Sequence, residues 1–332
     1  MSSARQKQII ASNLPEGALS LSDMRLVEAD IPVPAEGELL VKLRILSIDP
    51  SNRVYMKQPT YRAQVGLNDV MGGFAIAEVI EARAPGFAPG DLVFADTGWT
   101  QYAAVPASEA VLLPRIEPIS HLVSLCGITA GFTAYIGMLR FGRPMAGETV
   151  VVSGAAGAVG SFAGQLAKIA GARVVGVAGG AEKCWLLKEE LGFDAAVDYK
   201  AGDLASALKK AAPDGIDVYF DNVAGEVLDV ARSMMNRLGR IIFCGSISTY
   251  DSSAPSRRNM NVSQSSNVYL AHFLVLNFFD EYPAAIEQLS RWYEEGRIVV
   301  REDISQGIEE APAALLKVLA GENRGKMMVN IS

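Results

Sequence analysis

From Ile119 onward the chain alternates strand patterns with helix patterns, and this alternation constrains its fold more than any other feature. "ETVVVS" reads as a strand and Ala158–Gly171 as a helix, "ARVVGVAG" as a strand and Ala181–Leu191 as a helix. "AAVDY" is a short strand before a helix over Asp203–Ala212, and "IDVYFDNV" a strand before a helix over Gly225–Arg237. "GRIIFCG" closes the series. Repeated β–α units predict a parallel sheet with helices on both faces, and the near-continuous apolar character of these strands agrees with double coverage.

The first part reads differently. Up to about Pro114, short strand patterns such as "GELLVKLRILSID", "GGFAIAEVIEA" and "GDLVFA" are separated by turn pairs, Pro85-Gly86 and Pro89-Gly90 among them. That spacing predicts a small barrel or sandwich. The tail, "RIVVREDI", "EEAPAALLKVLAG" and "GKMMVNI", is too short to form a domain and is expected to fold back onto the barrel. The predicted division is a barrel over 1–123 completed by 296–332, and an α/β domain over 124–295. Its 332 residues suit two domains.

Composition excludes several classes of function. The net charge is −7 and no basic run exceeds Arg257-Arg258, which argues against a nucleic-acid partner. No stretch is read as a membrane span and the N-terminus lacks a secretory apolar core. Three scattered cysteines, Cys126, Cys184 and Cys244, fit a reducing compartment, hence the cytoplasm. The two histidines, His121 and His272, stand far apart, and no CxxC, HxxxH or HExxH occurs, so no metal site is expected.

The bare stretch "VVVSGAAGAVGSFAG" heads the β–α series. An uncapped first helix turn offers N–H groups and a positive dipole end to phosphate, if small residues let a ligand approach. The pattern is Ala155-x-Gly157-x-x-Gly160 after Gly154, one glycine short of the dinucleotide fingerprint. The bland alternative is a tight turn packed by small residues. The following strand ends in "VVGVAGG" without the carboxylate that bonds the adenosine ribose of NAD. Lys183 follows and can meet a 2′-phosphate, so NADP(H) is the expected cofactor, although Glu182 beside it opposes that charge.

Five blocks, from "VVVSGAAGAVGSFAGQLAKIAGARVVGVAGGAEK" through "ELGFDAAVDYK", "PDGIDVYFDNVAGE" and "RIIFCGSISTY" to "GENRGK", together closely resemble the zinc-independent medium-chain dehydrogenases/reductases. Within these they resemble the NADP-dependent alkenal and enone reductases, the group of prostaglandin and leukotriene reductases and plant double-bond reductases. The resemblance implies an α/β protein with a GroES-like β-barrel domain and a doubly wound Rossmann domain with a parallel sheet. It implies that Gly157, Ala158, Val159 and Gly160 cradle the pyrophosphate, and that Lys183 meets the 2′-phosphate with Tyr199 beside it. Asn222 would sit at the cofactor, although Ala224 departs from the family's usual NVGG. Cys244, Gly245, Ser246, Ile247, Ser248, Thr249 and Tyr250 would wrap the nicotinamide side. Phe273, Leu274 and Val275 would line the cofactor from the next strand, and Asn323 would reach back to it.

The implied activity is NADPH-dependent reduction of the C=C bond of α,β-unsaturated aldehydes and ketones. Tyr250 is the candidate donor to the substrate carbonyl, since a phenol stays neutral at pH 7. The barrel departs from the family block: "SIDPSNRVYM" keeps Asp49, Pro50 and Arg53 but has Ser51 and Asn52 where an aromatic and a methionine are usual, and Phe74 stands for a pocket tyrosine. Two rivals stay open, an NADPH:quinone oxidoreductase and a non-catalytic NADPH-binding sensor. A homodimer is expected from the resemblance and from the apolar run "VYLAHFLVLNFF" over Val268–Phe279, long for one strand.

Overall fold

The computed structural model describes residues 4–250 and 267–331. They separate into two compact units: one takes residues 4–124, Tyr250 and 302–331, the other 125–249 and 267–301.

In the first unit, β1 (Arg5–Ala11) and β2 (Met24–Asp30) form an antiparallel ribbon. They are followed by β3 (Glu38–Ser47), the short helix α1 (Ser51–Lys57), β4 (Phe74–Ala82), β5 (Leu92–Asp96), β6 (Tyr102–Pro106) and β7 (Val111–Leu112). Burial alternates along β3, with Leu39, Val41 and Leu43 fully inside and their neighbours half exposed. That period of two gives the strand one core face.

Helix α2 (Ser120–Cys126) leads through α3 (Gly131–Tyr135) into a π-helical stretch, Ile136–Gly142. By length and composition the helical run Ser120–Gly142 could cross a membrane, which corrects the sequence expectation that no stretch qualifies. Its most apolar window is 83% buried, as in a core helix.

The second unit continues with β8 (Thr149–Ser153), α4 (Ala158–Ile169), β9 (Arg173–Ala178), α5 (Ala181–Glu189), β10 (Ala195–Asp198) and α6 (Leu204–Ala211). Then come β11 (Ile216–Asp221), α7 (Gly225–Ser233), β12 (Met235–Phe243), β13 (Tyr269–His272) and α8 (Tyr282–Glu294). All six strands are parallel, in the order β10-β9-β8-β11-β12-β13. This is the doubly wound arrangement, and the order reverses between β8 and β11, where such sheets bind ligands.

Two expectations are corrected. Helix α7 ends at Ser233 rather than Arg237, because the chain turns directly into a long β12. The apolar run Val268–Phe279 yields only the four-residue β13, since β12 offers four partners, Arg240–Phe243. Beyond the strand, Phe273 stacks on Phe141 at 5.3 Å and Phe279 on Tyr282 at 4.9 Å, while Leu274 and Phe279 stay partly exposed.

The chain closes with β14 (Glu302–Gln306), α9 (Ala311–Leu319) and β15 (Lys326–Asn330). These strands complete the sheet of the first unit in the order β14-β15-β3-β4-β5-β7, with β6 also on β3. A buried ion pair pins the return: Lys326 Nζ lies 2.9 Å from Asp49 Oδ1 and donates to the carbonyls of Ile48 and Met327.

Candidate cofactor site at the sheet switch point

β8 is buried along its whole length and ends at Ser153. The turn to α4 needs a left-handed residue, which Gly154 supplies at φ +57°. This explains the incomplete fingerprint: the tight-turn role falls on Gly154, and Ala155 is buried where a first glycine was expected. Gly157 caps α4 without any side-chain hydrogen bond, so the N-terminal N–H groups of Ala158, Val159 and Gly160 sit on a helix end that no side chain closes. Gly160 has to be glycine. A Cβ there would lie 2.3 Å from the Gly154 carbonyl oxygen and 2.8 Å from Ala155 Cα.

Across the switch point, β11 ends in Asp221, which is fully buried. Its Oδ1 accepts from the Ser153 hydroxyl (3.0 Å), the Tyr219 hydroxyl (3.1 Å) and the backbone N–H groups of Val223 (3.1 Å) and Ala224 (3.0 Å). Burial holds its carboxyl above the usual carboxylate range despite these bonds. Asn222 donates its side-chain amide to the Ser153 carbonyl at 2.7 Å and its backbone N–H to the Ser153 hydroxyl at 2.9 Å. Asn222 therefore joins the two loops that meet at the reversal. Asp221 and Ser153 were missed by sequence reasoning; the signal was the carboxylate that ends the strand "IDVYFD" after the apolar Val218–Phe220.

Ala224 adopts φ +64°, ψ −159°, a region that glycine alone enters freely. The departure from NVGG is thus a strained alanine, held by its N–H bond to Asp221.

The loop after β12 is tied to the same turn. The N–H groups of Cys244 and Gly245 donate to the Asp221 carbonyl, and that of Ile247 to the Asn222 carbonyl. The Ser248 hydroxyl donates to the Val223 carbonyl at 2.6 Å, while Thr249 bonds back to Ser246 through both N–H and hydroxyl. Burial pushes the Cys244 thiol up to about 12, Asp221 adding to it, so it stays protonated at neutral pH. Tyr250 ends this loop half-buried, and its carbonyl accepts from Lys57 Nζ at 2.8 Å.

At the neighbouring edge, Lys183 lies in the first turn of α5, after Gly180 at φ +96°. Tyr199 follows β10 and lies against Gly179, where a Cβ would come within 2.9 Å of its ring. These residues gather at one corner of the sheet.

Phe273, Leu274 and Val275 follow β13 rather than forming it, because the strand stops at His272. Phe273 packs into the second unit, where a Cβ on Gly137 would lie 2.8 Å from its ring. Asn323 donates its side-chain amide to the Gly325 carbonyl at 2.7 Å and so shapes the turn before β15.

In the first unit, Phe74 lies in a cluster of aromatic residues. Tyr55 and Tyr61 share a hydrogen bond between their hydroxyls, and Tyr61 lies 6.4 Å from Phe74, which stacks on Phe94 at 5.3 Å. Burial pushes the Tyr55 phenol up to about 12 and that of Tyr61 higher still, so both stay neutral donors. Arg53 is fully buried, donating to the carbonyls of Pro15 and Gly17, and is structural.

Two family models match the chain. One, described as the N-terminal domain of oxidoreductase, covers residues 7–113; the other, described as zinc-binding dehydrogenase, covers residues 158–291. Among the described residues no three His, Cys, Asp or Glu side chains converge, so the donor set does not fit the zinc of that description. The chain is 36% identical to the NADPH-dependent curcumin reductase of Escherichia coli, over 99% of this chain and 97% of that protein. It is 37% identical to the NADP(+)-dependent 2-alkenal reductase of Nicotiana tabacum, over 98% and 97%. The structure superposes on CurA of Vibrio vulnificus in complex with NADPH with a TM-score of 0.91, at 37% identity over 98% of this chain and 99% of that one.

Proposed function

The chain belongs to the medium-chain dehydrogenase/reductase family, and we propose that it is an NADPH-dependent reductase of the C=C bond of α,β-unsaturated aldehydes and ketones. The observation that carries the cofactor is the uncapped α4 N-terminus, reached over the bare backbone of Gly154–Gly160 at the reversal of strand order. The turn fits a pyrophosphate because Gly160 lets the helix start pack directly on the loop: a Cβ there would collide with the Gly154 carbonyl and push the helix N-terminus away. The similarity to the curcumin and 2-alkenal reductases supports the substrate class.

When bound, NADPH supplies the hydride, which the β-carbon of the enone accepts. The N–H groups of Ala158, Val159 and Gly160 orient the pyrophosphate, and Lys183 binds the 2′-phosphate. The Asp221–Ser153–Asn222 network holds three loops in one arrangement before any ligand arrives, which lowers the reorganisation needed on binding. Tyr250 donates a hydrogen bond to the substrate carbonyl as negative charge grows there, a contribution of ~3–4 kcal/mol for a well-aimed donor. A phenol can do so without a metal, and the reaction is proposed to be zinc-independent, since among the described residues no group of three His, Cys, Asp or Glu side chains could hold a metal ion. Protonation of the α-carbon is left to water.

The reading extends to a homodimer formed through the exposed edge strand β13, and to a reducing compartment, the cytoplasm, in keeping with three free cysteines. The test is steady-state NADPH oxidation with a panel of enones, enals and quinones. Turnover on enones and enals supports the proposal. Turnover on quinones alone would favour the quinone oxidoreductase reading, and NADPH binding without turnover on any acceptor would favour a sensor.

A further inference from the structure

In sheets that bind NAD, the end of the second strand carries a carboxylate for the ribose hydroxyls. Here that strand is β9, and Gly179 and Gly180 follow it. The space that a side chain on residue 179 would enter is already filled. A Cβ there would lie 2.9 Å from Lys200 Cε, 2.9 Å from Tyr199 Cε1 and 3.1 Å from Tyr199 Cζ.

The backbone at Lys200 is fixed by local bonds. β10 pairs with β9 in the register Asp198↔Ala178, and the Tyr199 N–H donates to the Ala178 carbonyl at 3.1 Å. Asp198 Oδ1 accepts from the N–H groups of Gly180 (2.8 Å) and Lys200 (2.9 Å), clamping the two turns together. The Lys200 ammonium lies 5.8 Å from the Tyr199 ring centroid, and the residue is exposed. A cation thus occupies the corner where an NAD-binding sheet places an anion. Two carboxylates stand nearby: Asp198 is engaged with two backbone donors, and Glu182 lies in the first turn of α5.

We infer that Lys200 is a specificity-determining residue, a second cation beside Lys183 that recognises the adenosine 2′-phosphate, and that Gly179 lacks a side chain to leave it room. The inference rests on the NADP(H) reading above. A neighbouring ammonium and phosphate form a charge-assisted contact that NADH cannot make.

The test uses the whole protein and two ligand fragments, 2′,5′-ADP and 5′-AMP, titrated by calorimetry at low ionic strength. Lys200→Ala should weaken 2′,5′-ADP binding about fivefold or more and change 5′-AMP binding less than about twofold. Lys200→Arg should retain most of the preference, and Gly179→Ala, whose methyl displaces Lys200 and Tyr199, should lose it as Lys200→Ala does. Equal weakening of both fragments in Lys200→Ala, or no weakening of 2′,5′-ADP, would overturn the inference while the cofactor reading stands. A wild-type protein that binds the two fragments equally would overturn the NADP(H) reading itself, and this inference with it.

Discussion

At the scale of single residues, function and strain meet in the turn after β11. Ala224 occupies a conformation costing ~1–3 kcal/mol for a residue with a Cβ, and glycine would relieve it, less ~0.4–1 kcal/mol of extra chain entropy in the unfolded state. Ala224→Gly should therefore raise Tm by a few degrees in differential scanning calorimetry; an unchanged or lowered Tm would mean that the loop tolerates alanine without strain. Asp221 gives a pH signature. Its carboxyl titrates above the usual range in the folded protein, so its contribution to stability is complete below the unfolded carboxylate pKa and is lost as pH rises through the raised value. Asp221→Asn does not titrate there. The Tm advantage of the wild type over this variant should shrink as pH rises from ~4 to ~7, and a gap that widens would reverse the sign of the shift. Tyr250→Phe removes one oxygen from the loop that Asp221 anchors. It should lower kcat at least ~10-fold, one decade for each ~1.4 kcal/mol of lost stabilisation, with NADPH affinity unchanged. An unaltered kcat would leave Tyr250 a packing role.

At the scale of elements, the β–α series was legible because strands covered on both faces are apolar throughout, and helices between them carry a separate period. The ends of elements were less legible. Met235–Leu238 reads as a last helical turn, but Leu238 at φ +63° cannot continue a helix, and Met235 already pairs with Ile216 of β11, an irregularity separating it from the pairing of Arg240 with Val218. The run Val268–Phe279 looks like one long strand because aromatic packing and strand pairing draw on the same residue types. The candidate site was half legible: the glycine loop, Lys183 and Asn222 declare themselves by motif, whereas Asp221, Ser153 and Lys200 act through hydrogen bonds and packing that only the fold brings together. The junction of β8 with α4 gives the sharpest element-level expectation. Gly160→Ala drives a methyl into the Gly154 carbonyl, so the helix start must shift away from the loop. NADPH affinity should fall by more than ~10-fold, against ~1.4 kcal/mol of lost interaction per decade. Retained affinity would show that the pyrophosphate does not use this helix end.

At the scale of the whole molecule, two units built on different principles, a mostly antiparallel barrel pinned by a buried Asp49–Lys326 pair and a six-stranded parallel sheet, supply the parts of one reductase. The proposed activity comes down to one chemical event, delivery of a hydride from NADPH to the β-carbon of an activated alkene. The measurement that tests it most directly is a turnover with NADPH deuterated at the transferred C4 position and a simple enone, the product analysed by NMR. The expected product is a saturated ketone carrying one deuterium at the β-carbon. Deuterium on the carbonyl carbon of an allylic alcohol, or an enone recovered unlabelled after prolonged incubation with the bound cofactor, would contradict it.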